Sequence, residues 1–232
     1  MEVAANLQRV WSEMALAAKR AGRDPASVRL VAVSKTHPPE AVRLALAAGQ
    51  VLFGENYLQE AAEKIKAVGP GPAWHFIGHL QSNKAKLAAE FFDVVETVHS
   101  LKLAKALDRH AAELGKRLTV LVQVNLGGEE QKSGCAPGEA AALAEAVAEL
   151  PALGLRGLMT MPPYYQDPEA ARPIFAGLRE LASRLAPGLP PGSMDELSMG
   201  MSHDFPVAIE EGATLVRVGT AIFGSRSSAS TP

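Results

Sequence analysis

Cysteine is almost absent from this sequence: Cys135 is the one thiol among 232 residues. An internal disulfide is thereby excluded, and the composition fits a reducing compartment. Also missing is any apolar run near the roughly 20 residues that a membrane span needs, although 47% of the chain is hydrophobic. The stretch from Met1 to Gly22 is not a signal peptide, because Glu2, Arg9, Glu13, Lys19 and Arg20 interrupt it. Neither sign of charge dominates. A net charge of −2 gives no electrostatic reason to expect nucleic acid or an anionic membrane as partner. No metal site is expected: His75 and His79 come nearest to a ligand pair, but on a strand that spacing separates them by about 13 Å. The expectation is a cytoplasmic chain, long enough to bury a large core in one full-sized domain or two small ones.

Short β-rich runs alternate with Ala/Leu-rich helical stretches at Pro39–Ala48, Tyr57–Lys66, Lys84–Phe91, Leu101–Leu114, Pro137–Leu150 and Glu169–Leu185, with shorter helices expected at Ser202–Glu211 and after Thr220. The strands are expected at Arg29–Ser34, Val51–Phe53, Trp74–Ile77, Val94–Thr97, Thr119–Asn125, Leu155–Thr160, Glu196–Met199 and Leu215–Val218. Ahead of them, Val3, Leu7, Val10, Met14 and Ala18 recur at helical spacing, with Gly22 as the stop. Strict alternation implies parallel pairing, since each crossover needs a helix to bring the chain back. An open doubly wound sheet would carry a glycine fingerprint after its first strand; here Lys35-Thr-His-Pro-Pro follows instead. The expected fold is therefore α/β, a single (β/α)8 TIM barrel over residues 1–232, with residues 1–22 an extra N-terminal helix packed on it.

In such barrels the active site lies at the C-terminal ends of the strands. Lys35 ends the run Arg29-Leu-Val-Ala-Val-Ser-Lys, where its amine would enter the barrel mouth; desolvation there favours the neutral amine that a Schiff-base nucleophile requires. Alone, it would equally read as a surface lysine opening a loop. At the other end of the chain, Ser198, Gly200 and Ser202 sit where strand seven turns into a helix, and Gly219 and Thr220 follow strand eight. Two small-residue turns at consecutive strand ends suggest a phosphate cradle. Alternation puts Leu215, Arg217 and Gly219 on one face of strand eight. Arg217 inside the barrel is either paired with an internal acid or donates to the ring nitrogen of pyridoxal 5'-phosphate (PLP).

The motifs Val31-Ala-Val-Ser-Lys-Thr-His, Phe53-Gly-Glu-Asn-Tyr, Trp74-His-Phe-Ile-Gly-His-Leu-Gln-Ser-Asn-Lys, Leu197-Ser-Met-Gly-Met-Ser-His-Asp and Val216-Arg-Val-Gly-Thr-Ala-Ile-Phe-Gly occur in this order. Together they resemble the PLP-homeostasis family (YggS/PROSC type), over nearly the whole chain. The resemblance implies PLP as cofactor, Lys35 as the covalent lysine, and Asn56 and His79 near the cofactor. It also implies a phosphate site at Ser198, Gly200, Ser202, Gly219 and Thr220, and Arg217 at the ring nitrogen. Asn125-Leu-Gly-Gly-Glu-Glu-Gln-Lys-Ser-Gly matches the family's strand-five loop and contributes a second lysine, Lys132. The same barrel resembles the N-terminal domain of alanine racemases, which take a second acid/base from a following β-domain. No such domain is expected after Gly224. The expectation is thus a monomeric, non-catalytic carrier that holds PLP as a Schiff base, with PLP-accepting apo-enzymes as partners and an amino-acid racemase as the alternative. Among lesser residues, His75 reads as core or rim, Cys135 as a structural thiol, and Asn56 and Asn83 as helix caps.

Overall fold

Parallel pairing follows the chain strand by strand until the last strand meets the first. The computed structural model describes residues 2–128 and 133–224. It opens with α1 (Glu2–Arg20), β1 (Arg29–Val33), α2 (Pro39–Ala47), β2 (Leu52–Glu55), α3 (Leu58–Val68) and β3 (Ala73–Phe76). Next come α4 (Ala85–Phe91), β4 (Val94–Val98), α5 (Leu101–Glu113), β5 (Leu118–Gln123), α6 (Ala140–Ala148) and β6 (Leu153–Met159). The barrel is completed by α7 (Arg172–Leu185), β7 (Glu196–Met201), α8 (Phe205–Glu210), β8 (Leu215–Val218) and α9 (Thr220–Phe223). The strands close in the order β1 to β8, with Arg29 opposite Leu215 and Ala32 opposite Val218 sealing the ring.

Period-two alternation divides the apolar residues between two cores. Leu30 and Ala32 of β1, and Val216 and Val218 of β8, face the surrounding helices. Val31 and Leu215 face inward, where they meet Leu121 and Met159. The helices present matching stripes: α1 buries Leu7, Val10, Met14, Ala17 and Ala18, and Gly22 beyond it takes φ 67. Helix α5 starts at a Ser100 cap whose side chain accepts from the Leu103 amide, and it buries Leu103, Ala104, Leu107 and Ala111. Helix α1 packs on α2, α8 and α9. Among the described residues no helix is long and apolar enough to cross a membrane.

Several boundaries differ from those read in the sequence, each for a local reason. α6 and α7 begin later because the tighter turns Pro137–Glu139 and Pro168–Ala171 precede them. β7 continues to Met201, and α8 waits until Phe205, because Asp204 Oδ1 accepts the Met201 amide at 2.6 Å and holds a turn between them. Asn83 is not a cap; it lies within the short turn Ser82–Lys84, and the residue before α4, Lys84, makes no side-chain cap bond.

Candidate functional site

One cavity of about 320 Å³ lies at the C-terminal ends of the strands. Lys35 reaches it from the turn after β1, Asn56 from beyond β2, Ser202 from the turn after β7, and Arg217, Gly219 and Thr220 from β8 and its end. The β6–α7 connection adds Met161, Tyr164 and Tyr165, and the β7–α8 turn adds His203 and Asp204. Six of the nine residues singled out from the sequence therefore share one wall.

Arg217 is 3% exposed and forms the inner floor of this wall. Its Nη1 donates to Ser198 Oγ at 2.6 Å and its Nη2 to the Thr160 carbonyl at 2.9 Å. The Ser198 hydroxyl in turn donates to Glu96 Oε2 at 2.5 Å, and His75 Nδ1 faces Glu96 Oε1 at 2.6 Å. Burial opposes the ionised form of Glu96, yet the His75 bond and the Arg217 charge outweigh it and hold the carboxyl below its ordinary range. The two readings of Arg217 turn out to be compatible: it is tied to an internal acid through Ser198 and still borders the cavity. His75 is core, 3% exposed.

Ser198, expected at the phosphate site, does not line the cavity. It is fully buried, and its hydroxyl joins Arg217 to Glu96 inside the barrel. Gly200 also lies off the cavity wall. Its φ is +92, and an added Cβ would stand 2.6 Å from Ala208 Cβ and 2.9 Å from Phe205 Cα, so the glycine lets α8 pack on β7. The β7–β8 register shifts between Ser198 and Met201 at this point, which swings the chain outward to Ser202. Ser202 Oγ then accepts the Gly219 amide at 3.2 Å, joining the two small-residue turns into one rim. Thr220 stands exposed at the start of α9.

Asn56 carries a buried Oδ1 with no hydrogen-bond partner. Its capping role is not made: Tyr57 precedes α3, without a side-chain cap bond. His79 is exposed and lies outside the cavity wall, stacked on His99 with ring centroids 5.3 Å apart and its Nδ1 2.7 Å from Ser133 Oγ. Cys135 is buried, and burial pushes its thiol up to about 11, as suits an inert structural residue. Lys132 lies outside the described residues.

Sequence reasoning passed over Glu96, Tyr164, Tyr165 and Asp204. Glu96 was within reach, since the alternation that turned Arg217 inward does the same for the residue between Val95 and Thr97. The tyrosines sit in a connection without periodicity, which leaves no signal to read.

The profile described as "Alanine racemase, N-terminal domain" matches residues 5–227. A pyridoxal phosphate homeostasis protein of Pseudomonas aeruginosa is 51% identical, covering 97% of this chain and 96% of that protein. PipY of Synechococcus elongatus, solved with PLP bound, superposes with a TM-score of 0.84 at 41% identity, covering 96% of this chain and all of that one. An alanine racemase of Clostridium difficile shares the fold alone: TM-score 0.75 at 15% identity, with 58% of its chain covered. By likeness over nearly its full length, the chain belongs to the pyridoxal phosphate homeostasis protein family, built on the alanine racemase N-terminal domain.

Proposed function

We propose that the cavity holds PLP on Lys35 and that the chain carries this cofactor without turning over a substrate of its own. The observation that carries the reading is convergence: Lys35, Asn56, Arg217, Ser202, Gly219 and Thr220, from far-separated segments, border one cavity. They fit the group. The orphaned Asn56 Oδ1 is the kind of buried acceptor that a bound ligand satisfies. Ser202, Gly219 and Thr220 would hold the phosphate, and Lys35 would meet the aldehyde. Arg217 has five N–H donors, two of them used on Ser198 and Thr160. The rest are available to a ring nitrogen.

PLP supplies an aldehyde that condenses with a lysine amine to a C=N bond, releasing one water. Arg217 keeps its proton, so it donates to the ring nitrogen without protonating it, and an unprotonated ring is a weak electron sink. That suits storage better than amino-acid chemistry. Relatives named for PLP homeostasis support the carrier reading; on that reading the acceptors would be apo-enzymes of the cytoplasm.

The test is to reduce the PLP-loaded protein with borohydride and locate the label by mass spectrometry. A stable adduct on Lys35, absent from Lys35→Ala, is the expected result; an adduct elsewhere, with Lys132 the first alternative, would overturn the assignment. Incubation with L-alanine should yield D-alanine no faster than PLP alone, and multiple turnovers per protein would establish the racemase reading instead.

A further inference from the structure

The turn that carries Lys35 is gripped on both sides by one helix. β1 ends at Val33, and the chain passes through Ser34, Lys35 and Thr36 before α2. The Ser34 carbonyl, in the peptide group before Lys35, accepts from Lys64 Nζ at 2.7 Å. The Thr36 amide, in the peptide group after it, donates to Glu60 Oε1 at 2.6 Å. Glu60 and Lys64 stand one turn apart on α3 and are themselves paired at 2.8 Å.

Lys64 is 3% exposed, unusual for a lysine on an outer helix. Its third acceptor is Glu55 Oε1 at 2.6 Å, so all three ammonium protons have a partner: Ser34 O, Glu55 and Glu60. The Ser34 hydroxyl also donates to Glu55 Oε1, at 2.7 Å. Between the two gripped peptides the chain adopts a conformation it would not choose. Thr36 has φ 65, the one non-glycine residue with positive φ among the described residues, and it is β-branched. Strain of this kind persists only where the surroundings over-determine it. Buried ion pairs are a poor way to add stability, since apolar residues of the same volume do as well. Strain and burial are both explained if the cluster sets the direction from which Lys35 leaves the backbone.

We propose that Glu60 and Lys64 are positioning residues for Lys35, fixing its two flanking peptide groups so that its amine meets the cavity at the aldehyde. This rests on the reading of Lys35 as the covalent lysine. The experiment separates covalent capture from binding. Capture is the rate at which the borohydride-stable adduct at Lys35 accumulates after mixing with PLP. Binding is the affinity for pyridoxine 5'-phosphate, which has the ring and phosphate but no aldehyde.

Glu60→Ala should slow capture about tenfold or more, because small misplacements of a reacting group cost that much, while pyridoxine 5'-phosphate binds as in the wild type. Glu60→Gln, which retains an acceptor for the Thr36 amide, should recover most of the rate. Thr36→Gly placed in the Glu60→Ala background should recover part of it, since glycine takes φ 65 without strain. Glu63→Gln, an exposed charge change on the same helix, is the control and should match the wild type. Equal loss of capture and binding in Glu60→Ala, or loss of neither, would overturn the positioning role. Absence of any Lys35 adduct in the wild type would instead sink the reading of the site, and this inference with it.

Discussion

Glu96 and Arg217 are opposite charges sealed inside the barrel, joined by one hydroxyl, and their pairing makes the interior sensitive to acid. The Glu96 carboxyl in the fold titrates below its ordinary value, so its ionised form adds stability above about pH 4.3 that is lost as pH falls through the lower folded value. Glu96→Gln leaves the Arg217 guanidinium buried without its counter-charge and should cost about 3–5 kcal/mol near neutrality. The gap to the wild type should narrow in acid, and urea unfolding at pH 7 and pH 3.5 measures it; a constant gap would mean that folding does not lower the Glu96 titration, and a widening gap that the buried carboxyl is neutral. The rim makes a separate prediction. Ser202→Ala and Thr220→Ala should each weaken PLP more than pyridoxal, by about 1.5–3 kcal/mol, roughly tenfold or more in affinity. Equal losses for the two ligands in a fluorescence titration would remove the phosphate role. Residues of this kind were legible because strand ends and alternation point to them: Lys35, Ser202, Arg217, Gly219 and Thr220 all follow from those two rules. Glu60 and Lys64 were not, because Glu followed four residues later by Lys on a helix reads as a solvated ion pair, and only packing against the β1 turn buries it.

At the scale of elements, the turn from β7 to α8 does most to shape the site. Gly200 sits there at φ +92 with no room for a methyl group, so Gly200→Ala meets both backbone strain and a clash with α8. The expected loss is about 1–3 kcal/mol from strain alone, accompanied by weaker PLP binding as Ser202 shifts. Thermal melts of apo and loaded protein would show both, and an unchanged apo midpoint would refute it. Helix α1 supports the other side of the rim: Leu7 is fully buried in the outer core, and Asn6 Nδ2 donates to the Ile222 carbonyl at 2.9 Å, fastening α1 to α9. Leu7→Ala should cost about 2–5 kcal/mol in urea unfolding, as expected for a fully buried leucine; a loss under 1 kcal/mol would mean that α1 is only loosely applied. All eight strands were legible in the sequence, since each is a short run holding apolar residues between helical stretches. The ends of α6, α7 and α8 were not, because short 3₁₀ turns and the Asp204 bond to Met201 are tertiary or local choices that hydrophobic period does not encode.

Over the whole molecule, the barrel has no edge, and the two halves of the site come from opposite ends of the chain, brought together where β1 pairs with β8. Binding at that seam should stabilise the closed form. PLP at a hundred times its dissociation constant should add about 2.7 kcal/mol to unfolding, and Lys35→Ala should retain less of that gain at the same PLP concentration; equal shifts in a melting curve would argue against a covalent share. The pairing of β1 with β8, from Arg29–Leu215 to Ala32–Val218, also has a meaning in time. A ribosome delivers the chain from one end, and at about 5–20 residues per second Lys35 is made roughly ten to forty seconds before Thr220. During that interval the lysine exists but the turn after β8 does not. If that turn holds the phosphate as proposed, cofactor capture waits for it: a nascent polypeptide stalled ahead of β8 should retain no PLP on Lys35, and the protein would draw on the cofactor pool only once β8 has been made.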